Sequence, residues 1–356
     1  MKRNPFPHEK TDFNLYKRVT KLAKYNISLA LLLVFIIFSP RSAIADLAID
    51  TIVNQVSKND YISYVQTLEG YGTRSYGTPG NTNAINFISS TFNSFNLNVI
   101  QNPFTYSSNT YYNVVATLPG ATHPDNVYIV GAHFDSVSAG PGADDNASGM
   151  AAVLEIASVL SQYSFQSTIK FIGFNVEEQG LVGSHTYSDE AEVNGDKVLG
   201  MLNFDMIAYT GSNPNEDVDI FGDNWLVDLM VANAVQYTPS LNIEAHYGNT
   251  YGSDHYYFHS SLYPGSASLL AIENTPSEIW GGANPYYHTA NDTSDKLNFD
   301  FATDITRTGI ATLAGLAQTI PEPATIYCLS VGLFIIGWTR YRRHSHCTVG
   351  KSRVAV

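Results

Sequence analysis

Between residues 113 and 275, short apolar stretches recur: NVVATLPG, NVYIVGAHFDS, TIKFIGFNVEE, VLGMLNFDMIA and SASLLAIENT. Rich in β-branched and aromatic residues and bounded by turn formers, each predicts a strand. Between the second and third, ASGMAAVLEIASVLSQY carries Met150, Val153, Leu154, Ala157 and Leu160 at helical spacing, and TNAINFISSTFNSF at 82–95 predicts another amphipathic helix. Strands alternating with helices predict an α/β sandwich around a mostly parallel sheet. Such sheets gather ligands outside the carboxyl ends of their strands.

The strand-like runs end in chemistry. His133 and Asp135 follow VYIVGA, Glu177 and Glu178 follow IKFIGFNV, and Asp205 follows GMLNF. Paired carboxylates directly after an apolar strand are costly unless a cation neutralises them. Loop polarity explains one such ending but not three. Imidazole and carboxylate donors with room for water are what a hydrolytic zinc takes, and a two-ion centre needs a carboxylate between its ions. His133, Asp144, Glu178, Asp205 and His288 supply that set, and Glu177 beside a ligand is placed to be the general base.

The two ends of the chain differ from its middle. A basic stretch precedes the apolar run ISLALLLVFIIF and an Ala-Ile-Ala triplet at 43–45, so residues 1–45 predict a secretory signal peptide. At the other end Pro321-Glu322-Pro323 precedes an apolar segment and then Arg340, Arg342 and Arg343. That order resembles the PEP-CTERM sorting signal of Gram-negative bacteria. For residues 320–356 it implies a transmembrane segment, transient association with the inner membrane through 320–343, and cleavage by an exosortase-type enzyme. The expectation is an exported protein of the cell envelope or extracellular space.

Residues 46–319 then form one domain of 274 residues, long enough to bury a sizeable core. Both cysteines lie outside it, so it has no disulfide to lean on. Six basic residues against 29 acidic ones leave it with a net charge of −23, which argues against nucleic-acid partners.

The motifs HFDS, PGADDNASG, NVEEQGLVGS, NFDMI and NPYYHTANDT, in that order, resemble the di-zinc exopeptidases, metallopeptidase family twenty-eight. The likeness runs from GTRSYGTPGNTNA, at residue 72, to a helix ending near Thr319. It implies a three-layer α/β/α sandwich with a mixed, mainly parallel central sheet, two Zn2+ ions and peptide substrates. Carried onto this chain, His133 and Asp205 hold one zinc, Glu178 and His288 the other, and Asp144 bridges them, with a cis peptide at Asp144–Asp145. Asp135 fixes the His133 tautomer. Glu177 takes a proton from the zinc-bound water, and Tyr287 resembles the tyrosine that hydrogen-bonds the tetrahedral intermediate in some members. Met206, Asp254 and His255 are the candidate pocket residues; His123, His185, His246 and His259 read as structural or surface residues.

Glutaminyl cyclases of this superfamily typically lack the first His of the HxD motif, and His133 is present here. Carboxypeptidase-like members capture a carboxylate with basic side chains, which this domain scarcely has. An aminopeptidase is therefore the expected activity. The alternatives are another di-zinc amidohydrolase or dipeptidase, or a non-catalytic matrix protein on the same fold.

Overall fold

The computed structural model describes residues 49–211, 217–273 and 284–320. Of the segments assigned above to export and sorting, residues 1–45 and 321–356 lie outside them. Among the described residues no helix is long and apolar enough to cross a membrane.

Eight strands, β1 (Asn98–Tyr106), β2 (Asn109–Leu118), β3 (His123–His133), β4 (Ser167–Phe174), β5 (Lys197–Phe204), β6 (Asp217–Gly222), β7 (Asn242–Tyr247) and β8 (Ser268–Glu273), make one sheet. Their order is β1-β2-β4-β3-β5-β8-β6-β7. The four central strands β4, β3, β5 and β8 are parallel, while β2 and β6 run antiparallel to the central strands beside them. The helices are α1 (Lys58–Glu69), α2 (Pro79–Ser94), α3 (Gly149–Leu160), α4 (Val182–Asn194), α5 (Asn224–Tyr237) and α6 (Phe299–Ala317).

Alternation along the strands divides the core between the two faces of the sheet. Val114, Ala116, Val130, Ala132, Ile169 and Phe171 pack with α1, α2, α3, α5 and α6. Their chain neighbours Val115, Ile129 and Ile172 point the other way, toward Tyr187 and Ala191 of α4 and Phe258. Burial on both faces is why these strands read as continuous apolar runs. The architecture is the expected α/β sandwich, with a mixed sheet covered by helices on both sides.

Sequence patterning missed β1, β6 and β7, which are the outer strands. Pro103 argues against a strand unless it lies at an edge, which is where β1 lies. β7, at the opposite edge, has no buried residue, so no apolar run marks it.

Helix α3 is buried on all sides from Gly149 to Ala157, packed between the sheet and helices α1 and α6. It nevertheless carries Glu155. One carboxylate oxygen of Glu155 accepts from the Ser57 amide at 2.6 Å and the other is buried without a partner. Burial, only partly offset by that amide, pushes the Glu155 carboxyl from 4.5 up to about 7. Between those two values the folded chain holds a proton that the unfolded chain has released, so stability falls as pH rises through that window. Glu155→Gln keeps the amide acceptor and removes the charge. It should melt higher than the wild type at pH 8 and at the same temperature near pH 4.5, as calorimetry at the two pH values would show.

Candidate metal centre

The parallel register brings the predicted residues to one end of the sheet. His133 closes β3 opposite Phe174, the last residue of β4, and Glu177 and Glu178 follow β4 within one turn. On the other flank Gly131 pairs with Asn203 of β5, which places Asp205 beside the same end. Val176, Met206 and His288, each next to or within this constellation, are non-glycine residues in the left-handed region, at φ of 60°, 52° and 57°. Strain of this kind persists where surrounding contacts over-determine the backbone, and it concentrates at functional sites.

Asp145 stands between the two histidines. One of its oxygens is 3.4 Å from His133 Nε2 and the other 3.0 Å from His288 Nε2. Asp205 Oδ1 lies 3.3 Å from His133 Nε2, and Glu178 Oε2 lies 3.1 Å from His288 Nε2. Two donor groups result, His133-Asp145-Asp205 and Asp145-Glu178-His288, joined through one carboxylate. A further group, Asp219, Glu244 and His246, sits on β6 and β7, and none of its members lines the cleft described below.

Asp144, expected between the two histidines, is not there. Its carboxylate faces the other way and accepts from the Ala208 amide at 3.0 Å and from Asn284 Nδ2 at 3.1 Å. The backbone between Gly142 and Gly149 is irregular, with Asp145 at φ −104° and ψ 88°, so consecutive side chains diverge. The cis peptide likewise falls one residue later than expected, at Asp145–Asn146. Gly142 is required in this loop: at φ 59°, an added Cβ would lie 2.1 Å from the Asp145 carbonyl oxygen.

Asp135 also differs from its expected part. Its carboxylate is 3.6 Å from His133 Nδ1, beyond hydrogen-bonding reach, and the Asp135 carbonyl oxygen is closer at 3.3 Å. The carboxylate instead accepts from the Glu177 and Glu178 amides at 3.1 and 3.3 Å. Asp135 therefore fixes the loop that carries the two glutamates.

A cleft of about 30 Å³ opens onto this centre, lined among others by Glu177, Met206, Gly252, Ile272 and Tyr287. Glu177 Oε2 approaches His133 Nε2 to 4.0 Å. The Tyr287 ring stacks on His288 with centroids 3.7 Å apart. Asp254 and His255, expected in the pocket, are wholly buried, and Gly252 of the same segment lines the cleft in their place. The segment acts through Ser253, whose hydroxyl donates to Asp205 Oδ2 at 2.6 Å while accepting from Asn203 Nδ2.

Electrostatics here is dominated by buried acid. Burial pushes Glu178 up to about 7, helped by the neighbouring Asp145 charge, and drives Glu177 well above the usual carboxylate range. Burial works against ionisation of Asp145 as well, but its contacts with His133 and His288 prevail and hold it well below that range. The same burial opposes charge on His288, yet hydrogen bonds to Asp145 and Glu178 raise it to about 10.

Arg74, which the motif reading did not single out, is the cation beneath the site. It is fully buried and donates to the carbonyls of Phe134 at 2.7 Å, Gly142 at 2.8 Å and Pro141, tying the two metal-site loops together. The only signal for it in sequence is its rarity, as one of six basic residues in the domain.

Two imidazole nitrogens and three carboxylates fit zinc in donor chemistry, and Glu178 Oε1, buried with no partner, supplies an orphan acceptor that a cation would satisfy.

Comparison with known proteins agrees with this reading. The profile of Peptidase family M28 matches residues 113–313. A "Probable leucine aminopeptidase" of Trichophyton verrucosum is 29% identical over 305 residues, covering 79% of this chain and 76% of the relative. BSAP, a zinc aminopeptidase from Bacillus subtilis, superposes with a TM-score of 0.62 at 18% identity, covering 75% of this chain and 96% of that one. The glutaminyl cyclase of Bacteroides thetaiotaomicron superposes with a TM-score of 0.61 at 18% identity, covering 72% and 97%, so the fold alone does not separate the two activities.

Asp145→Ala removes the carboxylate common to both donor groups and should leave the protein without zinc after dialysis. Asp144→Asn should retain its zinc. Elemental analysis of the two dialysed variants distinguishes the two aspartates.

Proposed function

The chain belongs to peptidase family M28 and is a metallo-aminopeptidase, and we propose that it removes apolar N-terminal residues from peptides through a two-zinc centre. The observation that carries this reading is Asp145, with one carboxylate oxygen on each side of a paired His and acid donor set. His133 and Asp205 would hold one ion, Glu178 and His288 the other, with Asp145 shared between them. When bound, zinc supplies Lewis acidity toward a carbonyl oxygen and lowers the pKa of water.

The protein's own groups do the rest. Glu177, buried in the cleft and not placed between the histidines, accepts the proton of the attacking water on Oε2 and passes it to the leaving amine. Glu177 holds that proton between the two transfers. Burial among carboxylates also keeps the Tyr287 hydroxyl protonated, so it can donate to the oxyanion that develops on the scissile carbonyl. A free α-ammonium suits a cleft walled by carboxylates. Met206 and Ile272 line the cleft and pack with Phe221, Leu270 and Tyr287, an apolar patch for the first side chain.

The reading extends to location. The signal-like residues 1–45 and the Pro-Glu-Pro, apolar and basic order of 320–356 support export to the envelope or beyond, with transient inner-membrane anchoring and an exosortase-type partner.

A leucyl peptide with a free N-terminus should be cleaved, and its acetylated twin should not. Chelation should abolish the activity and zinc restore it. Glu177→Gln should keep its full zinc content while kcat falls by roughly 10²–10⁴-fold. Equal cleavage of both peptides would defeat the aminopeptidase reading; full activity in Glu177→Gln would defeat its mechanism.

A further inference from the structure

A second concavity, of about 470 Å³, lies beside the active-site cleft and takes no part in the chemistry above. That volume falls within the rough 300–1,000 Å³ range of ligand sites. One wall is the face of α4 carrying His185, Asp189 and Glu192, spaced so that they share a stripe of the helix. The other is a tyrosine cluster. Tyr251 meets Tyr256 edge to face at 5.0 Å, Tyr256 meets Tyr257 likewise at 5.2 Å, and Tyr257 stacks on His185 at 4.1 Å. Among the described residues no lysine or arginine lines it.

Two connections join this groove to the reaction. Tyr251 adjoins Gly252, which lines the active-site cleft. Gly180, two residues beyond Glu178, lies so close to Tyr251 that a Cβ on it would be 3.8 Å from the tyrosine hydroxyl. Tyr251, in the groove wall, therefore adjoins the loop that carries Glu177. Because Glu177 protonates the leaving amine, the departing part of the peptide lies on its side of the centre.

We propose that this groove holds the leaving-side portion of the substrate and selects basic side chains there, an inference that rests on the aminopeptidase reading. Asp189 and Glu192 are exposed carboxylates that match a lysine or arginine in charge, and tyrosine faces attract such cations. The enzyme thus takes an apolar first residue in the cleft and prefers a cationic peptide beyond it.

The test uses the zinc-loaded full chain and two variants, Asp189→Asn/Glu192→Gln and a charge-matched control, Asp60→Asn/Asp125→Asn, at exposed positions outside the groove. Leu-Gly-Gly-Lys-Lys should exceed Leu-Gly-Gly-Glu-Glu in kcat/KM by roughly five- to tenfold at low salt. The advantage should reside in KM and shrink as salt is added. The groove variant should lose it while cleaving leucine p-nitroanilide as the wild type does, and the control should keep it. Equal rates on the two peptides, or equal loss in both variants, would overturn the proposal, the latter by tracing the preference to the overall acidity of the domain. A fluorescent acetyl-Gly-Gly-Lys-Lys, which an aminopeptidase cannot cleave, separates the groove from the reaction. Its anisotropy should show binding weakened only by the groove variant. That binding pattern without cleavage of any leucyl substrate would keep the basic-peptide groove and reject the aminopeptidase reading; unchanged binding in the groove variant would reject the groove.

Discussion

The structure turns on a concentration of buried negative charge. Asp135, Asp144, Asp145, Glu177, Glu178, Asp205 and Asp292 meet at one end of the central strands in a domain that has few basic residues. A carboxylate removed from water needs a cation, a proton or several donors. Each route is used here. Arg74 lies beneath the loops, and burial, opposed by Asp292, Asp135, Asp145 and Glu178, lowers its own pKa only to about 10, so it keeps its charge. Backbone amides serve Asp135 and Asp292. What these leave uncompensated is concentrated around His133 and His288, in the two donor groups that share Asp145.

Much of this was legible in the chain. The central strands announce themselves because burial on both faces makes them uniformly apolar, and their ends carry His133, Glu177, Glu178 and Asp205 within four residues. The adjacent pair Asp144-Asp145 was not resolvable. Two identical side chains in an irregular loop differ only in the direction the backbone gives them, and that direction depends on Ala208, Asn284 and Asp292, all distant in sequence. Asp254 and His255 misled for a similar reason. Their likeness to a family segment near the substrate pocket suggested a lining role, but the segment turns both inward and leaves Gly252 to face the cleft.

Asp144 still contributes, through the loop that carries His288. Asn284 Nδ2 donates to both Asp144 and Glu273, and the Asp292 carboxylate accepts the amides of Asp144 and Asp145. The loop from Asn284 to Asp292 is thus fastened at both ends to the segment that supplies the shared carboxylate. His288 and Asp145 come from positions far apart in the sequence but are tied to one another through these bonds.

The alignment of β3 with β5 carries a consequence beyond catalysis. His133 and Asp205 come within 3.3 Å of each other because Gly131 is paired with Asn203; a slip of one residue would turn His133 to the opposite face of the sheet. Zinc affinity therefore reports on strand alignment. A misregistered sheet, however compact and apolar inside, cannot assemble the donor set and would gain nothing from a cation. A metal bound at these donors would act as an inspector of the finished fold, held only by molecules whose central strands are in step.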